Sequence, residues 1–165
     1  MTAHSHTASA SKAHVSSGFN LRSALIGFFA TNGSATTWLL RLSLGITILP
    51  HGIQKTLGWW GGYGFTGTMG AFTQMMGIPA PLAHAAILAE SLGALFLIFG
   101  LFTRLSAFAI GVTMVVAASV HWPEGFFMPK GIEFFIPVTA IAIVLLIKGG
   151  GKWAIDSAIA RKLQA

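Results

Sequence analysis

His51, Lys55, Glu90, His121 and Glu133 stand out because nearly everything around them is apolar. Glu90 is the sharpest case: it lies near the middle of residues 81–103, a run long enough to cross a bilayer, and is the only carboxylate in it. An ionised carboxylate held in hydrocarbon costs several kcal/mol, about 3 on insertion scales, so it requires a partner and usually serves a purpose. Groups of these types can exchange protons, or hydrogen-bond the carbonyls of a lipid-soluble ligand such as a quinone. Alternatively, Lys55 and Glu90 form one ion pair, Glu133 and His121 make a second polar contact, and both only fix helix register. A haem held by His51 and His121 from facing helices is physically allowed, but no motif supports it.

The elements that must position these residues follow from composition. The chain has 165 residues, 54% of them hydrophobic and only 8% charged, with a mean hydropathy of +0.74. Soluble domains carry about a quarter charged residues, so this reads as an all-α integral membrane protein. It has no cysteine, which excludes intrinsic disulfides, thiol relays and cysteine-ligated iron–sulfur clusters or zinc. Any redox chemistry must then use a bound cofactor. The net charge of +6 comes from residues flanking apolar segments, not from a basic patch interleaved with stacking aromatics, so no nucleic-acid partner is expected.

Residues 1–17 are Ser, Thr, Ala and His with hardly a bulky apolar side chain, and read as a disordered tail. His4, His6 and His14 could bind a metal ion, though a solvated polar tract is the simpler reading. Residues 18–30 contain FNLRSALIGFFA, too short to span and interrupted by Arg22. They suggest an interfacial amphipathic helix and not a signal peptide. Four spans are expected at 38–57, 81–103, 105–121 and 131–148, each near the ~20 residues a hydrocarbon core needs, with the last two short. Together, 38–148 form a four-helix membrane bundle, and 149–165 a cytoplasmic interfacial tail that begins with a helix stop at the Gly149–Gly151 run and continues as an interfacial helix over 153–162. Lys12, Arg22, Arg41, Arg104, Lys148, Lys152, Arg161 and Lys162 fall on the side of the termini, against Lys55 and Lys130 opposite. Both termini are therefore expected in the cytoplasm. Trp59, Trp60, Tyr63 and Trp122 fall at the outer interface, Trp38 and Trp153 at the inner. The Gly-rich connection 58–80 is a candidate lid with a short helix in its middle, or a loop that merely packs on the surface.

Arg41, Leu44, Ile48, His51 and Lys55 recur at intervals of three and four and share one helical stripe, whose charges favour the bundle interior. Pro50 frees the carbonyl of Ile46 and should bend the helix. At 1.5 Å per residue, His51 lies roughly 9 Å and Glu90 roughly 13 Å from the outer ends of their spans. His84, His121 and Glu133 also fall in the outer half. Ala83, Ala86, Gly93 and Ala94, on the face of Glu90, are small enough for close approach or for a ligand. Residues 92–101 hold no ionisable group, which argues against a continuous path for protons or solutes. Arg104 could anchor a phospholipid head group, but reads better as a topology marker.

In order along the chain, LLRLSLG at 39–45, His51-Gly52-x-x-Lys55, Glu90 with Gly93, Gly100 through Thr103-Arg104, His121, Glu133 and Gly150-Gly151-Lys152-Trp153-x-x-Asp156 resemble the DoxX family of small four-span bacterial membrane proteins. The likeness covers Leu39 to Asp156, with Gly150 where the family often has a proline. It implies a four-helix bundle and an association with redox, since relatives occur as subunits of thiosulfate:quinone oxidoreductase and others accompany membrane oxidoreductase complexes. The resulting expectation is an inner-membrane, redox-associated subunit that binds a quinone or similar ligand in an outer-half pocket, as part of a quinone-linked oxidoreductase and not a stand-alone catalyst. The alternative is a non-enzymatic assembly subunit.

Overall fold

The structure is a computed structural model that describes residues 20–31 and 33–165. The tail expected over 1–17, with its three histidines, lies outside them. Among the described residues there are helices and turns and no strand. They are α1 (Leu21–Phe29), α2 (Ala35–Leu57), α3 (Gly64–Gly70), α4 (Ala80–Leu88), α5 (Ala94–Phe99), α6 (Thr103–His121), α7 (Phe135–Lys148) and α8 (Ile155–Gln164). The helical segment Ala80–Phe99 is continuous, because a π turn at Ala89–Gly93 joins α4 to α5. This segment and Thr103–Glu124 are long and apolar enough to cross a membrane.

Local chemistry sets the helix ends. The Asn20 side chain accepts the Ser23 N–H at the start of α1, and Ser34 accepts that of Thr37 at the start of α2; each meets an amide that the helix leaves without a partner. Left-handed Gly58 (φ 73°) stops α2. At the end of α5, Gly100 donates to Leu97 O and Leu101 to Phe96 O, the paired bonds of a Schellman stop. The connection 58–80 holds the helix its composition suggested, α3, which runs on into a π turn at Ala71–Met75.

Two elements start later than the periodicity predicts. The helix expected from 131 begins at Phe135, because 125–133 fold back on themselves: Ile132 N donates to Gly125 O and Glu133 N to Phe126 O. At 14 residues, α7 is about 21 Å long. α8 begins at Ile155 and not at Trp153, which adopts a left-handed conformation (φ 55°).

The core is the seam where α2, the π turn, α5, α6 and α7 meet, filled by Leu44, Ile48, Leu97, Ile110, Val138 and Leu145 among others. Long apolar side chains such as Leu39, Phe99, Leu105, Val115 and Ile147 point outward and are exposed. At the end of the molecule where α2 and α6 begin, three charged side chains close the backbone. The Arg41 guanidinium, buried at 1% exposure, donates to Leu97 O (2.6 Å), Ile98 O (2.8 Å) and Gly150 O (2.9 Å). Asp156 accepts the N–H groups of Phe102 and Thr103, each at 2.8 Å, at the start of α6. Arg104 donates to Leu146 O and Ile147 O at the end of α7, and to Ala30 O. Each charge thus meets the helix terminus of opposite partial charge and satisfies its orphan groups.

One contact sets how closely α2 can approach the π turn. A Cβ on Gly52 would stand 2.2 Å from Glu90 O and 2.6 Å from Ser91 Cα, so only glycine permits the backbones to meet there. Gly27 in α1 has open space around it. Gly52→Ala is expected to cost about 2–3 kcal/mol through overpacking, whereas Gly27→Ala should be neutral or stabilise by up to about 1 kcal/mol. Thermal unfolding of both variants in detergent checks this contrast.

Candidate ligand-binding site

Glu90 sits inside the π turn, a wider coil that interrupts the α-helical register and is found disproportionately where helices carry function. Its neighbour Ser91 returns its hydroxyl to Ile87 O at 2.7 Å. With Gly52 holding α2 against this turn, Lys55 lies one turn further along α2 and its ammonium donates to Glu90 Oε2. The carboxylate side chain is 4% exposed and the lysine 26%. The charge of Glu90 is therefore neutralised by a partner that still reaches the space beside it.

That space is a cavity of 560 Å³, within the range of sites that hold small organic ligands. α2 contributes Ile48, His51 and Lys55 to its wall, α4 and the π turn Ala85, Ala86 and Glu90. Along α6 it runs from Phe108 to His121, about 20 Å at the helical rise. Ala109, Thr113 and Ala117, spaced four apart, form a shallow floor. The lining is mostly apolar, and His51, Lys55, Glu90, His121 and Lys130 bring charged or polar groups to it. Two chain segments also line the cavity: Phe72, Met76 and Ile78 from the connection after α3, and the Met128–Gly131 loop.

The two imidazoles are set against rings. His51 lies 5.7 Å from Phe134 and is exposed to the cavity. His121 stacks on Phe135 at 5.5 Å, inclined by 24°. Its Nδ1 is buried without a hydrogen bond and lies 3.6 Å from Glu124 Oε2. Glu124 thus occupies the place beside His121 that the sequence suggested for Glu133. The fold-back of 125–133 aims the Glu133 carboxylate at its own loop, where it accepts the Met128 N–H at 3.0 Å, and Glu133 is not among the residues lining the cavity. His84 is exposed, its Nδ1–H donating to Ala80 O at 2.8 Å, and does not line it either.

Sequence reasoning misses Lys130 and the paired Phe134 and Phe135 as parts of this site, and Gly52 enters it only as a motif residue beside His51. The four-residue spacing of Ala109, Thr113, Ala117 and His121 was a readable signal for a small-residue groove ending in an imidazole. For Lys130 there was none, because its place depends on how the loop folds.

A family model described as DoxX matches residues 36–122, more than half of the chain. The chain belongs to the DoxX family. The matched segment runs from α2 to the end of α6 and includes His51, Lys55, Glu90 and His121. Glu133, α7 and α8 lie beyond it. No curated protein and no solved structure matches the chain.

The DoxX segment thus contains both halves of the buried pair, and its energetics can be tested. Glu90→Gln should lower stability by about 1–3 kcal/mol, since it leaves the partly buried Lys55 ammonium without its counter-charge. Lys55→Met combined with Glu90→Gln should recover most of that loss, to within about 1 kcal/mol of the parent. Denaturation in detergent, followed by circular dichroism, distinguishes the single from the double variant.

Proposed function

We propose that this DoxX protein is a four-helix inner-membrane bundle, with both termini cytoplasmic and α1 lying at the interface, that binds a quinone or a similar lipid-phase ligand in its cavity. In this reading it serves as a redox-associated subunit of a membrane oxidoreductase. The observation that carries the reading is the cavity: a long, mostly apolar groove into which His51, Lys55, Glu90 and His121 bring polar groups, which suits an amphiphile with a compact carbonyl-bearing head and a hydrocarbon chain. Other lipids share the chain; the paired donors favour a ring with two acceptors.

The residues divide the work by their surroundings. His51 and His121 offer imidazole N–H groups to the ring carbonyls and are the groups that exchange protons with the ligand. Lys55 balances the Glu90 carboxylate in the ground state and can turn part of its hydrogen bonding toward the ligand. Lys130 adds positive charge to the lining, and Glu133 supports it by bracing the loop that carries Met128. The quinone supplies the electron chemistry when bound, while the chain supplies orientation, proton exchange and exclusion of water.

The assembly reading draws on one specific observation, the direct Lys55–Glu90 pair, which would lock helices with or without a ligand. Extraction and mass spectrometry of protein purified in native lipid particles separates the two. About one quinone per chain is expected in the parent. Far less is expected in Ala117→Phe, which fills the groove from α6 with unchanged thermal stability. A quinone-free protein that co-purifies with a larger complex would contradict ligand binding and favour assembly.

A further inference from the structure

At the end of the molecule where α2 and α6 begin, the exposed charged side chains among the described residues are basic. Of the four acidic residues, Glu90 is paired in the cavity wall, Glu124 and Glu133 lie at the other end, and Asp156 is buried with both oxygens engaged. Lys148, Lys152, Arg161 and Lys162 are exposed, and none is ion-paired among the described residues.

Within this basic end one loop is held in an unusual shape. Trp153 has φ 55°, a conformation that bulky L-residues rarely take and that persists only where surrounding contacts impose it. Those contacts are present. Arg41 holds Gly150 O, Lys152 N donates to Ser34 O at 3.2 Å, and Gly151 N donates to Thr31 Oγ1. The loop's anchoring leaves the Trp153 indole 72% exposed, edge-on to Trp38 at 5.0 Å, with the Lys152 ammonium 5.9 Å from its ring centre. A strained backbone thus presents one ammonium and one exposed indole together, with the half-buried Trp38 indole beside them.

We propose that Lys152, Trp153 and Trp38 form a site for the head group of an anionic phospholipid. The phosphate accepts hydrogen bonds from the Lys152 ammonium. The indoles lie at the level of the glycerol esters, where amphipathic rings are favoured, and Arg161 and Lys162 on α8 extend the attracting field. The site rests on the reading that this end faces a bilayer surface, but not on the cavity or its ligand. A basic residue at a membrane surface enriches anionic lipid roughly fivefold.

Tryptophan quenching by brominated lipids in phosphatidylcholine vesicles tests it. Brominated phosphatidylglycerol should quench the parent more than brominated phosphatidylcholine does at equal mole fraction. Lys152→Gln, a substitution at an exposed side chain, should remove most of that excess while keeping every tryptophan. Equal quenching by the two lipids, or an excess untouched by Lys152→Gln, would overturn the site while leaving the membrane reading intact. Absence of quenching by either lipid removes both. Competition by inorganic phosphate, but not by chloride at the same ionic strength, would assign the site to free phosphate and overturn a lipid head group.

Discussion

A carboxylate inside an apolar helix is the constraint around which the centre of this molecule is arranged. Glu90 cannot remain ionised there without a counter-charge, and Lys55 can supply it only if α2 runs hard against the helix that bears Glu90. Gly52 permits that approach, since any side chain there would overlap the backbone of Glu90 and Ser91. The π turn widens the helix at the same point. Contact and distortion together place the ion pair in the wall of a cavity and not in a sealed core.

The other end of the structure obeys a related rule. Helices that end away from water must find partners for their last amides and carbonyls, and here Arg41, Arg104 and Asp156 meet them. The result is a stiff base. It joins the α5–α6 turn to the loop before α8, so the helices are tied firmly at one end. At the opposite end, the connection after α3 and the 125–131 loop border a space between them.

Much of this was legible in the sequence. The all-helical class, the apolar segments 81–103 and 105–121 and the DoxX relationship follow from hydropathy and ordered motifs, and they rest on short-range pattern. The inward stripe of Arg41, Leu44 and Ile48 was also readable, and all three are buried. What escaped depends on contacts across long sequence separations. Asp156 caps a helix that begins 53 positions earlier, and nothing local to either site announces it. The exchange of Glu133 for Glu124 beside His121 arises from backbone bonds within 125–133, which periodicity does not encode. Arg104 resembled a simple topology marker because its bonds run to carbonyls, and carbonyls leave no signature in residue types.

Whether Glu90 takes part in ligand binding can be read from its own vibration. Infrared difference spectra of protein labelled with ¹³C-glutamate, recorded as a short-chain quinone is added, report the carboxylate directly. If the cavity binds the quinone beside the Lys55–Glu90 pair, a labelled glutamate band shifts on addition, and the shift is absent from the Lys55→Met/Glu90→Gln variant. If no glutamate band moves while quinone is present in excess, the pair serves packing alone and the ligand-binding reading is wrong.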